Sequence, residues 1–267
     1  MKNFDRYTVF EQAKQWVYEA GEIIRASIDK KLTVDTKSNP NDLVTEMDKK
    51  IEKYFADEIR STYPTHRILA EEGYGDELKG LEGIVWIIDP IDGTMNFVHQ
   101  KRNFAISVAI YQEGIGEIGL IYDVMANVLY HAIRGEGAFK DAVRLQPLTQ
   151  DLKLSESILL INSIWCAENS KVNEKKIQEL TSLVRGTRAY GSAALEFASV
   201  AEGIIDGYLS MQLQPWDFAA GVILVNEVGG VTLHASGRPL NLLGSNPIFT
   251  GNQQIKDEII EKYIELK

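Results

Sequence analysis

The chain is 267 residues long, 45% apolar and 25% charged, which is an ordinary globular balance with enough length to bury a large core. Its 38 Asp and Glu outnumber 28 Lys and Arg, and the formal net charge of -10 argues against nucleic-acid binding and against docking on an anionic membrane. A single cysteine, Cys166, excludes an internal disulfide and a cysteine-built zinc cluster, and it reads as a small, half-buried apolar residue.

Residues 1–6 lead into a helical pattern and carry no apolar signal core, so a soluble, cytoplasmic protein is expected. Phe10, Ala13, Val17, Ala20 and Ile24 alternate at spacings of three and four, which predicts a first helix with one apolar face. A polar stretch over 29–42 follows, with an exposed loop expected at 37–40. Met47, Ile51, Phe55 and Ile59 then mark a second helix, opened by a capping box of Thr45 and Asp48 and closed by Tyr63 and Pro64.

Short extended segments are expected at 67–70 and 84–88. From 104 to about 140, turn-like breaks at 112–114, 125–127 and 135–137 suit an antiparallel meander, whose first apolar run (104–111) is too short to span a bilayer. The remainder alternates: strands at 157–162 and 207–211, helices at 172–183, 192–201, 217–228 and 255–266. The change of pattern near 150 suggests two joined α/β halves, 1–150 and 151–267, with a site between them.

The most informative stretch runs from Val85 to Phe97. A buried strand ends in two carboxylates, Asp89 and Asp92, with rigid Pro90 between them, and Gly93 and Thr94 then open a short helix. Hard oxygen ligands beside backbone N–H groups able to hold a phosphate are what a magnesium–phosphate site needs. An Asp-rich cap would account for Asp92 but not for Asp89 at a strand end. Glu71 projects from a second strand end, although a Glu pair before glycine is, taken alone, more often a solvated loop. Asp217, after Trp216, is expected as the N-cap of the helix that follows, a place that also allows it to face a metal. Asp48 is similarly double: the third helical position of a capping box, or a carboxylate aimed at a water molecule.

Taken together, residues 42–48, 70–73, 89–97, Trp216-Asp217 and Gly229-Gly230 resemble the inositol monophosphatase family in order, in spacing and over the whole chain. The resemblance implies a layered α-β-α-β-α sandwich of the sugar phosphatase type, a homodimer, and magnesium-dependent, lithium-sensitive hydrolysis of a small phosphorylated metabolite such as inositol 1-phosphate. It implies that Glu71, Asp89 and the Ile91 carbonyl hold one Mg2+, that Asp89, Asp92 and Asp217 hold a second, and that Glu71 helps to position a third. Thr94, backed by Asp48, would orient the attacking water. Asp92, Gly93, Thr94 and Asp217 would contact the substrate, and Gly191, Ser192 and Ala193 would line its alcohol side.

Inositol-preferring animal members carry a glutamate where an ungapped alignment on Trp216 and Asp217 puts Ser210. A serine lacks the charge-assisted contact to a ring hydroxyl, so fructose bisphosphate, NADP and phosphonucleotides stay open as substrates. A haloacid-dehalogenase-type phosphatase is opposed by the spacing of Asp89 and Asp92 and by the two helices that precede them. A pure binding protein of this fold would not need Glu71, Asp89, Asp92, Thr94 and Asp217 together. The histidines show no metal-type spacing.

Overall fold

In the computed structural model, residues 5–30, 34–36, 43–149 and 151–267 are described. The start at 1–4, the loop expected at 37–40, Asp42 and residue 150 of the expected boundary lie outside them.

Helix α1 (Arg6–Arg25) starts where the Asp5 carboxylate accepts the backbone N–H groups of Tyr7 and Thr8, and it buries all five residues of the predicted apolar face. Two short strands, β1 (Val34–Thr36) and β2 (Leu43–Thr45), pair antiparallel. Helix α2 (Glu46–Thr62) opens with the predicted capping box: Thr45 Oγ1 accepts from Asp48 N at 3.4 Å, and Asp48 Oδ2 accepts from Thr45 N at 2.8 Å.

Strands β3 (Arg67–Ala70) and β4 (Ile84–Asp92) come next, then the short helix α3 (Thr94–Gln100). The predicted meander is β5 (Ala105–Gln112), β6 (Ile115–Asp123), β7 (Val128–Ile133), β8 (Gly137–Lys140) and β9 (Val143–Arg144). Strands β3 to β9 form one seven-stranded sheet in sequence order, antiparallel except for the β3–β4 pair. Its hairpins turn at the predicted breaks, where Gly114, Asn127 and Gly135 take left-handed φ values of 76°, 56° and 83°.

The second half holds β10 (Ile158–Ile161), α4 (Glu174–Leu183), β11 (Gly186–Arg188), α5 (Ala193–Ala201), β12 (Gly207–Leu213), α6 (Pro215–Glu227), β13 (Val231–His234), β14 (Asn246–Gly251) and α7 (Gln253–Tyr263). They build a five-stranded sheet of order β11-β10-β12-β14-β13, with β11, β10 and β12 mutually parallel. Crossover helices force that parallel arrangement.

Several predicted boundaries move, for local reasons. Helix α6 begins at Pro215, two residues before Asp217, because proline presets φ and has no N–H to leave unpaired in the first turn. Asp217 is therefore in the third helical position and not the N-cap, which is Gln214. Helix α4 starts after Asn173, which caps it by accepting from Lys175 N, and this releases Val172 to pair with Leu266. Asn252 likewise starts α7 two residues early, through its bond from Gln254 N.

Three apolar clusters sort these elements into five layers. Phe10, Trp16, Ile51 and Phe55 of α1 and α2 pack on Trp86, Ile88 and Ile106 of the large sheet. The opposite face of that sheet, with Val85, Ile87 and Ala109, packs on Phe197, Phe218 and Leu224 of α5 and α6, which in turn meet Tyr208 and Ile248 of the small sheet. Leu209 and Phe249 on the far side of the small sheet meet Ile177 and Ile259 of α4 and α7. Helix–sheet–helix–sheet–helix is thus the α-β-α-β-α sandwich that the resemblance implies. No helix of the described residues is long and apolar enough to cross a membrane.

Candidate metal and active site

Along β4 the side chains alternate between the two cores, with Trp86 and Ile88 toward α1 and α2, and Val85 and Ile87 toward α5 and α6. Asp89 continues the second set. Strict alternation would turn a residue three places on to the opposite face, yet Asp92 joins Asp89. The register explains this: Asp89 lies opposite Ser107 and Asp92 opposite Ala105, so three steps on β4 match two on β5. The additional residue is a bulge at Pro90 and Ile91, where proline has no N–H to give to the ladder. Ile91 N donates instead to Asp89 Oδ1 at 2.9 Å, and the Ile91 side chain enters the core under α1 and α2.

Helices of the second half bring the remaining groups. Asp92 sits at the N-terminus of α5, where Ser192 donates its hydroxyl to Oδ2 and the backbone N–H groups of Ala193 and Ala194 donate to Oδ1 and Oδ2 at 3.2 and 2.8 Å. Asp217 comes from the first turn of α6, where its Oδ2 accepts from Gln214 N at 2.7 Å. That turn is pinned to β5 by Ser107 Oγ, which donates to the Trp216 carbonyl at 3.1 Å. Carboxylate oxygens of Asp89, Asp92 and Asp217 all lie within 4.8 Å of one another. Glu71 leaves β3 where Ala70 pairs with Ile88, so it flanks Asp89, and it lines with Asp217 a cleft of about 450 Å³.

Burial and crowding dominate the electrostatics. Asp89 is pushed well above the usual carboxylate range, first by burial and then by repulsion from Glu71, Asp92, Asp217 and Asp48. Burial also raises Asp92, to about 7, against the hydrogen bonds from Ser192 and Ala194 that favour its charged form. Three hard oxygen donors that repel one another in a dry site suit a small divalent cation, which would reverse the sign of every one of those interactions.

Asp48 divides its two oxygens between two tasks. Oδ2 closes the capping box, while Oδ1 accepts from the Thr94 hydroxyl at 3.1 Å. The same hydroxyl lies 3.1 Å from the Ile91 carbonyl. The capping-box reading of Asp48 is met, and its other oxygen accepts from Thr94. Gly93 precedes α3 at φ 95°, and a Cβ there would meet the Gly191 carbonyl at 3.1 Å and Ser192 Cβ at 3.2 Å, so the two halves approach too closely at that point for a side chain.

Two buried glutamates were not singled out by the sequence. Glu52 of α2 accepts from the backbone N–H groups of Glu72 and Tyr74 at 2.5 and 2.8 Å, bracing the loop that carries Glu71. Glu196 of α5 accepts from those of Tyr190 and Gly191 at 2.7 and 3.3 Å. A signal was present for each: Glu52 stands four residues after Asp48 on the apolar face of α2, and Glu196 is the lone charge in α5. Asn96 also gains a role, since its Nδ2 donates to the Tyr190 and Asn103 carbonyls at 2.7 and 2.8 Å. Cys166 is half-buried, with burial pushing its thiol up. His66, His131 and His234 have partners of their own, Trp86, the Asp141 carbonyl and Ser236.

A two-sheet sandwich with clustered strand-end carboxylates beside a carboxylate-held hydroxyl defines a layered α/β phosphatase. The chain belongs to the inositol monophosphatase family, whose model matches residues 5–266. It is 52% identical to the inositol-1-monophosphatase of Bacillus subtilis (strain 168) over 257 residues, 96% of this chain and 97% of that protein. Among solved structures, SaIMPase-II bound to inositol monophosphate superposes with a TM-score of 0.87 at 41% identity, covering 96% of this chain and 93% of that one. The same protein bound to 2′AMP gives 0.88 at 42%, with coverages of 96% and 94%. An IMPase/NADP phosphatase complexed with Mg2+ and phosphate gives 0.88 at 27%, with coverages of 96% and 95%.

Proposed function

We propose that this phosphatase hydrolyses inositol 1-phosphate and related small phosphate monoesters with Mg2+ as cofactor and with inhibition by Li+, and that it works in the cytoplasm as a homodimer. The observation that carries the reading is the Asp89, Asp92 and Asp217 cluster lying beside the Thr94–Asp48 pair. Asp89, Asp92 and Asp217 would hold Mg2+, joined by Glu71 and the Ile91 carbonyl. Magnesium bound there supplies charge neutralisation of the phosphate dianion and Lewis acidity. A family relative complexed with Mg2+ and phosphate supports the choice of cation.

The chain's own groups orient the nucleophile. When the Thr94 hydroxyl donates to Asp48 Oδ1, and with the Ile91 carbonyl turned to the metal, its lone pairs are free to accept from the attacking water, aiming the water's oxygen at phosphorus. Backbone N–H groups at Gly93 and Thr94, with Asp92 and Asp217, would contact the phosphate ester, and Gly191, Ser192 and Ala193 would face the departing alcohol.

A second reading is favoured by one observation. The cleft beside Glu71 and Asp217 is walled by Ile164, Trp165 and Trp216 as well as by Gln212 and Gln214. Ile164 is 54% exposed. An apolar wall of this kind suits a larger, flatter leaving group, and a relative that binds 2′AMP points the same way. The test is phosphate release from inositol 1-phosphate, 2′-AMP, NADP, fructose 1,6-bisphosphate and glycerol 2-phosphate, each with Mg2+ and with EDTA. EDTA-sensitive turnover led by inositol 1-phosphate in kcat/KM supports the first reading, and turnover led by 2′-AMP or NADP supports the second. Turnover unaffected by EDTA would sink the metal assignment.

A further inference from the structure

We propose that Glu196 is a positioning residue: by accepting the backbone N–H groups of Tyr190 and Gly191, it holds the 190–192 turn against Asp92 and sets the geometry of the carboxylate cluster.

Glu196 lies in the first turn of α5, 5% exposed, with the Tyr208 hydroxyl beside its carboxylate and the Asp92 carboxylate close enough to repel it. A buried carboxylate is costly unless its oxygens are used, and Oε1 takes both N–H groups, from Tyr190 at 2.7 Å and Gly191 at 3.3 Å. The Tyr190 side chain is 40% exposed, so side-chain burial does little to anchor the turn. Its main chain is held on both sides instead, the N–H by Glu196 and the carbonyl by Asn96 Nδ2 at 2.7 Å. Asn96 belongs to α3 in the first half of the chain, so this clasp joins the two halves within a few residues of the site.

The path from the clasp to Asp92 is short. Gly191 adopts φ 80°, which a side chain would strain, and a Cβ there would crowd Asn96 Nδ2 at 3.1 Å. The next residue, Ser192, caps α5 and donates to Asp92, and Ala193 and Ala194 donate to it as well. All three donors to Asp92 therefore follow directly from the turn that Glu196 fixes. Slack at 190–191 would free Asp92 to rotate away from Asp89 and Asp217.

The prediction rests on the proposed metal-dependent phosphatase reading, and chemistry sharpens it. Because one oxygen serves both N–H groups, the amide carbonyl of Glu196→Gln can replace it, and the amide NH2 can donate to the neighbouring Tyr208 hydroxyl, which accepts as well as donates. Glu196→Asp keeps the charge but falls one methylene short, and Glu196→Ala removes the acceptor. The measurements are kcat with Mg2+, direct Mn2+ binding followed by the EPR signal of the free ion, and Tm. Supporting outcomes are a Gln variant within about threefold of the parent, with Asp and Ala variants weakened about tenfold or more in both kcat and Mn2+ affinity, the range typical of residues that orient metal ligands. A merely structural role would lower Tm and leave Mn2+ affinity unchanged. Parent-like Mn2+ affinity in a folded Asp or Ala variant would overturn the proposal, as would a Gln variant impaired as much as the Asp variant, a comparison that stands even if the Ala variant does not fold. A parent that releases no phosphate would instead refute the phosphatase reading, while the Mn2+ affinities would still judge Glu196.

Discussion

Thr94 and Asp48, 46 residues apart in the chain, are joined by a 3.1 Å hydrogen bond that ties the first turn of α3 to the first turn of α2. The carboxylate that completes the capping box of α2 is therefore also the one that orients the candidate water-positioning hydroxyl. Removing that hydroxyl should cost turnover without disturbing the candidate metal-holding carboxylates. Thr94→Ala is expected to lower kcat by about 10²-fold or more, with Mn2+ affinity within about twofold of the parent. Thr94→Ser, which keeps the hydroxyl, should retain most of the activity. Weakened Mn2+ binding in Thr94→Ala would mean that the residue supports the cluster and not the water.

Asp89 is crowded by Glu71, Asp92, Asp217 and Asp48 in a buried site, so the metal-free protein stores repulsion there. A cation binding only the folded state should raise stability, by about 2.7 kcal/mol at a hundredfold excess over its Kd. The expected result is a Tm that rises with Mg2+ and falls with EDTA. Asp89→Asn should abolish both the Mg2+-induced rise and turnover, while its EDTA-treated form melts at or above the EDTA-treated parent. Differential scanning fluorimetry across a Mg2+ titration reads all three quantities. A full Mg2+ response in Asp89→Asn would remove it from the ligand set.

Much of this architecture is legible in the sequence, and the reasons differ by element. The faces of α1 and α2 follow from periodicity alone, because each helix packs one stripe against one sheet. The hairpins follow from turn chemistry at Gly114, Asn127 and Gly135. The convergence of Asp89 and Asp92 does not, since alternation along an unbroken strand would separate them, and only the pairing with β5 reveals the bulge. Asp217 stands three positions further into its helix than the expected N-cap, because a Pro at the first helical position competes with Asp as a start signal. Glu52 and Glu196 show in the sequence only as charges on apolar helix faces, and their partners, main-chain N–H groups, leave no mark of their own on the side-chain pattern.

Glu52 provides a contrast with Glu196 that the structure makes testable. It uses both oxygens, Oε2 for Glu72 N and Oε1 for Tyr74 N. A glutamine would therefore place its own N–H group against one of those donors. Glu52→Gln is expected to destabilise by about 1–3 kcal/mol, the cost of leaving a buried donor unsatisfied, and to lower kcat by loosening the loop that carries Glu71. Urea unfolding and limited proteolysis of the 71–76 loop would check it. Parent-like stability and activity in Glu52→Gln would show that the loop is held by other contacts.

His66 supplies a pH dependence whose sign follows from geometry. Its Nδ1 accepts a hydrogen bond from the indole N–H of Trp86 at 3.0 Å, and Trp86 is fully buried. Only the neutral ring can accept at that nitrogen, and burial lowers the His66 pKa from 6.5 to about 4. Between those values the unfolded chain binds the proton that the folded one refuses, so stability is complete above about pH 6.5 and is lost as pH falls toward 4. His66 is only partly buried, so a loss of about 1 kcal/mol is expected once solvent screening is allowed for. His66→Gln, whose amide oxygen can take the same indole N–H without titrating, should flatten this part of the stability profile. Urea midpoints at pH 7 and pH 4.5, followed by tryptophan fluorescence, measure the difference, and an equal acid loss in the parent and in His66→Gln would assign it to the carboxylates instead.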